Sequence, residues 1–394
     1  MKPLMFTMKT KLLGLLAGTV FLFSCNKDLP VATPIVTTPS TLPTIMTLLD
    51  GANFSYLKAA VTRAGLSGAL ANPNNIYTVF APDNAAFIAS GIPSIDVINA
   101  LPAAQLNAII SYHMVGGQSY YAAGINDKFP NMYLQSTLLL QAPSAALPPG
   151  YRMPITPSRR ATTIWANNIP VKQADVAAGN GVVHVVAGLV MPPDSVIAQI
   201  ITRDPSYSYL AAAVVRADSG VAAPNRLIDA LGNAAANFTL MAPTDLAFQQ
   251  TLTFLITQAL IAQGMDPATA QATATALAST PAVFSNPALF GALNATTVRG
   301  LIAYHVIGRV SANPANSALV GRIFSVNIPS TASPVNTLVV PAPNVGPVPV
   351  IIQNTAGTVT VKGMANPTAA TVTTANKHAI NGVIHRINGV LFPQ

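Results

Sequence analysis

The chain has 394 residues, of which 51% are hydrophobic and only 8% charged, and its formal net charge is +8. All twelve acidic residues are aspartates, so glutamate general acids, HExxH zinc sites and EF-hand loops closed by Glu are excluded. The basic residues are scattered, with only Arg159-Arg160 adjacent, so there is no basic stripe and nucleic acid is not an expected partner.

At the N-terminus Lys2, Lys9 and Lys11 flank Leu12–Phe23, an apolar run of twelve residues. A bilayer needs about 20 apolar residues, so this run reads as an export signal over residues 1–24. Leu22-Phe23-Ser24-Cys25 resembles the lipobox of bacterial lipoproteins, with Phe23 bulkier than the usual small residue. The resemblance implies that Cys25, the sole cysteine, becomes the first mature residue and carries lipid. The plainer alternative is a stray cysteine in an ordinary signal peptide; a lone thiol makes no internal disulfide. Cleavage removes three lysines and no acid, leaving 17 basic against 12 acidic residues, a mature charge of +5. Residues 25–43 then form a tether rich in Pro and Thr, which favours extended geometry at about 3.1 Å per residue. The expected location is the cell envelope, lipid-anchored in the outer membrane, with the facing side left open.

The rest of the chain has room for two domains, and four blocks recur in order. Phe54–Ala64 (FSYLKAAVTRA) matches Tyr207–Ala217 (YSYLAAAVVRA), and Leu57, Ala60, Val61 and Ala64 have the i, i+3, i+4, i+7 spacing of a helix face. Thr78–Phe87 (TVFAPDNAAF) matches Thr239–Phe248 (TLMAPTDLAF): a strand runs into Ala-Pro, then Asp83 or Thr244 caps a short helix. Leu106–Val115 (LNAIISYHMV) matches Val298–Ile307 (VRGLIAYHVI), with His113 and His305 on the apolar stripe of their helices. Asn180–Pro193 (NGVVHVVAGLVMPP) matches Asn381–Gln394 (NGVIHRINGVLFPQ), and Asn-Gly favours a tight hairpin turn with positive φ at both residues. The spacing from Pro82 to Pro243 is 161, but from Tyr112 to Tyr304 it is 192. The second copy therefore carries an insertion within residues 249–292, read as added helices at Phe254–Gln263 and Ala268–Leu277.

TVFAPDNAAF and TLMAPTDLAF resemble the first signature of the fasciclin domain family, and the two Asn-Gly phrases resemble its second. SYHMV and AYHVI are similar to its Tyr-His helix. The resemblance implies an α+β chain of two tandem fasciclin-like domains, over 44–193 and 194–394. Each would be a twisted β-sandwich or wedge with several short α-helices, closed by its last strand pair. It also implies adhesion, and the chain is expected to be a non-catalytic adhesion or interaction module with a protein or polysaccharide ligand at the envelope.

A buried imidazole needs hydrogen-bond partners. The expected partners are Asn84 for His184 and Asp245 for His385, clipping the first helix of each domain to its last strand. Tyr112-His113 and Tyr304-His305 have two readings: core members that hold an outer surface in shape, or an interaction helix. Tyr151, Arg152, Arg159, Arg160 and Trp165 form a candidate surface for a glycan or a partner protein, with core packing as the alternative for Trp165. That surface supports a second reading of the chain, a glycan-binding accessory protein of a polysaccharide-uptake system. A weak ester hydrolase is a third, using a serine with His184 and Asp175, although no G-x-S-x-G elbow is present. No catalytic residue is assigned and no cofactor is expected. Nor is a metal, since no histidine pair has i, i+4 spacing; His378 and His385 are seven apart.

Overall fold

The structure, a computed structural model, describes residues 41–127, 129, 132–140, 150–308, 321–340 and 346–393. The expected leader, Cys25 and the expected tether up to residue 40 lie outside the described residues.

The first copy contributes strands β1 (Tyr77–Pro82), β2 (Met114–Gly116), β3 (Leu134–Leu139), β4 (Arg152–Ile155), β5 (Pro157–Arg160), β6 (Thr163–Ala166), β7 (Ile169–Ala178) and β8 (Gly181–Val186). Their order in the sheet is β4-β3-β2-β1-β8-β7-β6-β5. The two edge strands are consecutive in sequence, joined through Thr156. They act as one bent strand, pairing with β3 before the corner and with β6 after it. Asn167 pins the corner: its Oδ1 accepts from the Thr156 N–H at 2.8 Å and its own N–H donates to the Thr156 carbonyl at 2.9 Å. The sheet therefore closes on itself as a small barrel.

The second copy repeats the plan with β9 (Phe238–Pro243), β10 (Val306–Ile307), β11 (Ser333–Asn336), β12 (Pro349–Thr355), β13 (Thr358–Lys362), β14 (Ala370–Ala379) and β15 (Gly382–Ile387), in the order β10-β9-β15-β14-β13-β12-β11. Here β12 runs without the corner. The circuit closes where Thr337 bridges Ile307 and the Leu338 N–H donates to the Val306 carbonyl at 2.9 Å.

In each copy the pair at the centre, β1 with β8 and β9 with β15, is parallel and buried on both faces. Such strands read as near-continuous apolar runs, and VVHVV and VIHRI fit that pattern. Alternation along them separates two cores. Val79, Ala81 and Val183 face outward onto helices, beneath Leu57, Ala60, Val61, Ile109 and Ile110. Phe80 and Val186 face inward, onto Tyr112, Val115, Met153 and Ile155. The second copy has the same division. Mixed helices and barrels make the class α+β.

The insertion differs in form from the sequence expectation. The helix of the first signature, only Asn84–Ala89 in the first copy, runs on as Asp245–Ala262 in the second. The first added helix is thus an extension, not a separate element, because Thr244–Gln263 contains no Gly or Pro to stop it. The next helix, Pro267–Leu277, opens on Pro at its first turn with Asp266 as its cap.

The two Asn-Gly turns also differ. Ala178 pairs with Gly181 and Ala379 with Gly382, so the turn centres are Gly179-Asn180 and Ile380-Asn381. Neither asparagine has positive φ; Gly181 does, at +146°. The glycines are needed because the parallel neighbour lies against them. A Cβ on Gly181 would sit 1.9 Å from the Tyr77 carbonyl oxygen, and one on Gly382 would sit 2.2 Å from that of Phe238.

Candidate functional site

The residues singled out by sequence fall into a buried frame, repeated in each copy, and a set of outer positions that the frame holds. His184 and His385 lie on the barrel-interior face, opposite Phe80 and Met241. Nε2 of His184 is 2.8 Å from the Tyr120 carbonyl, and its Nδ1 accepts from the Asp175 N–H at 3.3 Å. His385 repeats both bonds with Ile323 and Asn376 at the same lengths. Asp175 and Asn376 occupy equivalent bulges, with φ +62° and +66°. The expected bonds to Asn84 and Asp245 are not made, because those residues belong to the helix layer on the other side of the sheet. There, Asn84 Oδ1 accepts from the Tyr56 N–H at 3.0 Å, and Asp245 accepts from the Ser208 hydroxyl at 2.8 Å and the Tyr209 N–H. Each accepts from the first turn of the helix formed by the first repeated block, Ser55–Arg63 or Ser208–Ala217.

A different clip, from the Tyr-His helix to the segment after the last strand, is made by the other two repeated histidines. His113 ends its helix, with Nδ1 bonded to the Ile109 carbonyl at 2.8 Å and Nε2 accepting from the Val190 N–H at 2.9 Å. His305 does the same with Leu301 and Leu391, at the same distances. Tyr112 donates to the Pro154 carbonyl, and Tyr304 to that of Pro349. All four are at most 1% exposed, so they touch no partner directly. The reading as an interaction helix gives way to the structural one.

Sequence reasoning missed Asn180 and Asn381, treating them only as turn residues. Both are fully buried. Asn180 accepts from the Ile45 N–H at 2.7 Å and donates to the Leu70 and Asn72 carbonyls. Asn381 repeats this with Ile197, Leu231 and Asn233. Their recurrence in the two phrases was the available signal.

Burial lowers the pKa of every histidine. For His113, His305 and His385 it falls to about 4, in each case partly offset by a backbone hydrogen bond. Burial also lowers His184, while the Tyr120 carbonyl and Asp175 act in the other direction. His378 lies well below its ordinary value, through burial first and then the Arg322 guanidinium. A triad through His184 is not assembled: both its nitrogens are bound to main chain, and Asp175 Oδ1 accepts from the Ala122 N–H at 2.7 Å.

The five outer residues do not form one face. Arg152 and Arg159 stand on the same bent strand, and at about 3.3 Å per residue the seven steps between them span up to about 23 Å. Arg159 donates to the Ala122 carbonyl. Arg160 donates to the Asp127 carbonyl at 2.8 Å and, through Nε, to the Val326 carbonyl of the second copy at 3.0 Å. Tyr151 pairs with Tyr133. Trp165 is half-buried on the outside of β6, since its neighbours Ile164 and Ala166 point inward; its indole N–H has no partner among the described residues. Arg152 is exposed.

Arg160 belongs to a junction between the copies. The Tyr112 ring stacks on His378, with centroids 6.1 Å apart, and Phe324 meets the same imidazole edge-on at 5.3 Å. His378 Nε2 is 2.5 Å from Nη1 of Arg322, whose guanidinium also donates to the Ala379 and Ile380 carbonyls. Phe129 packs against the second barrel's core.

The fasciclin domain family model matches residues 52–192 and 219–393, well over half of the chain. The chain belongs to the fasciclin domain family. Its two fasciclin domains lie in tandem. One similar protein is the transforming growth factor-beta-induced protein ig-h3 of Sus scrofa, 34% identical over 151 residues; the match covers 38% of this chain and 19% of that protein. The Oryctolagus cuniculus protein of the same name is 32% identical over 152 residues, with the same coverage. The chain thus spans about a fifth of the length of these relatives. Among solved structures, a FAS1 domain pair from the insect cell adhesion molecule fasciclin I is matched over 86% of this chain and 96% of its own, with 15% identity and a TM-score of 0.35.

Proposed function

We propose that this protein is an exported, lipid-anchored interaction module of the bacterial cell envelope, in which two non-catalytic fasciclin domains bind a protein or polysaccharide ligand. Lipid on Cys25 holds it to the outer membrane. The observation that carries the reading is the use of the histidines. Histidine is the side chain whose ordinary pKa suits proton transfer near neutral pH. All five are instead committed to main-chain or guanidinium partners in the two frames and at their junction. That commitment supports a scaffold that presents surfaces over one that turns over substrate. Two linked domains on one anchor raise the effective concentration for a multivalent ligand, so binding gains avidity.

Cys25→Ser tests this. The wild-type protein should sediment with membranes, carry the added mass of acyl chains, and recover a ligand from intact envelopes. The variant should be released in soluble form and recover less. A wild-type protein that fractionates as soluble, with an unmodified Cys25, overturns the anchor.

A further inference from the structure

We propose that the first fasciclin domain carries a site for a uronate-containing oligosaccharide. The site is a groove of about 520 Å³ where the approach to β1, the end of β2 and the starts of β3 and β4 meet. This names the ligand class for the interaction module proposed above and rests on that reading.

The groove is of ordinary ligand-site size and is lined by Asn75, Tyr77, Gln135, Thr137 and Arg152, with Gly116-Gly117 leaving part of its wall without side chains. The chemistry is specific in kind. A side-chain amide offers both donor and acceptor, which matches neighbouring sugar hydroxyls. The half-buried Tyr77 ring offers a flat apolar surface for the C–H face of a pyranose. Arg152 donates through Nη1 to the Thr137 carbonyl at 2.7 Å, which fixes the guanidinium at the groove. Its other N–H groups have no protein partner among the described residues, and a planar guanidinium pairs well with a carboxylate. No acidic residue lines the groove to repel an anion.

The second domain supplies an internal control. Its barrel places Ala236 where the first has Asn75, Phe238 for Tyr77, Leu338 for Thr137 and Pro347 for Arg152; only Gln135 keeps an amide counterpart, Asn336. The opening is filled as well. A Cβ on Gly308 would meet the Phe238 ring at 2.7 Å and Leu338 at 3.0 Å, whereas one on the equivalent Gly116 meets nothing nearer than 3.6 Å. The same frame therefore stands with apolar groups at four of these five places, so most of the polar set in the first domain answers no demand of the fold.

The test is calorimetric titration of the full-length protein in detergent with an oligomannuronate tetrasaccharide and with its carboxyl-reduced, neutral counterpart. The acidic sugar should bind at least tenfold more tightly than the neutral one. Arg152→Ala and Gln135→Ala should each weaken binding at least tenfold, and Arg152→Lys should restore part of it. Asn336→Ala should change it less than twofold, and thermal unfolding should be unchanged throughout. Absence of binding, equal binding of the neutral sugar, or affinity indifferent to Arg152→Ala and Gln135→Ala overturns the site. If Arg152→Ala still recovers its ligand from envelopes after such a result, the interaction reading stands and only the carbohydrate assignment fails.

Discussion

At the scale of residues, the histidines behave as fasteners. His113, His305 and His385 are neutral in the fold, with pKa values near 4 against about 6.5 when unfolded. Between those values the unfolded chain binds protons that the folded chain refuses. Stability from these groups is therefore complete above pH 6.5, declines as pH falls, and is lost by about pH 4. Near pH 5 three such groups give a slope of about 4 kcal/mol per pH unit. Denaturant unfolding between pH 7 and 4 should show it; a flat profile would mean that the imidazoles are solvated. The histidines were legible in the sequence as buried, but their partners were not. Those are main-chain atoms of Tyr120, Val190 and their counterparts, and a backbone carbonyl carries no mark in a sequence. The polar side chain inside the first signature, Asn84 or Asp245, was the natural guess and stands on the other face of the sheet.

At the scale of elements, the parallel strand pair decides the architecture. The sequence predicted its strands, helices and caps well, since Asp83 and Thr244 accept from the expected amides. It did not reveal that Gly181 and Gly382 serve a close approach of strands, because a turn glycine and a packing glycine are written alike. Gly382→Ala must push β9 from β15 and should cost at least about 3 kcal/mol, in the upper range for single substitutions. Gly300→Ala has nothing within 4 Å and lies in the helix Ala295–Tyr304, so it should stabilise by about 0.5–1 kcal/mol. Denaturant midpoints for the two variants would check both signs.

At the scale of the whole molecule, the two copies are joined by groups that the repeat does not share. His378 and Arg322 occupy positions held by Ala177 and Ser119 in the first domain. Periodicity reveals what two copies have in common and is blind to the residues that make them meet, so this junction was not anticipated. Calorimetry should show one cooperative transition for the wild type and two for Arg160→Ala/His378→Ala. A single unchanged peak would mean that the domains are coupled by other contacts. Finally, the strand that turns at Thr156, and its straight equivalent in the second barrel, leave neither barrel with an open rim among the described residues. Unsatisfied strand borders recruit foreign β-segments and seed fibrils. A chain so rich in apolar residues gains from this geometry a protection against clumping that its sparse charges could not provide.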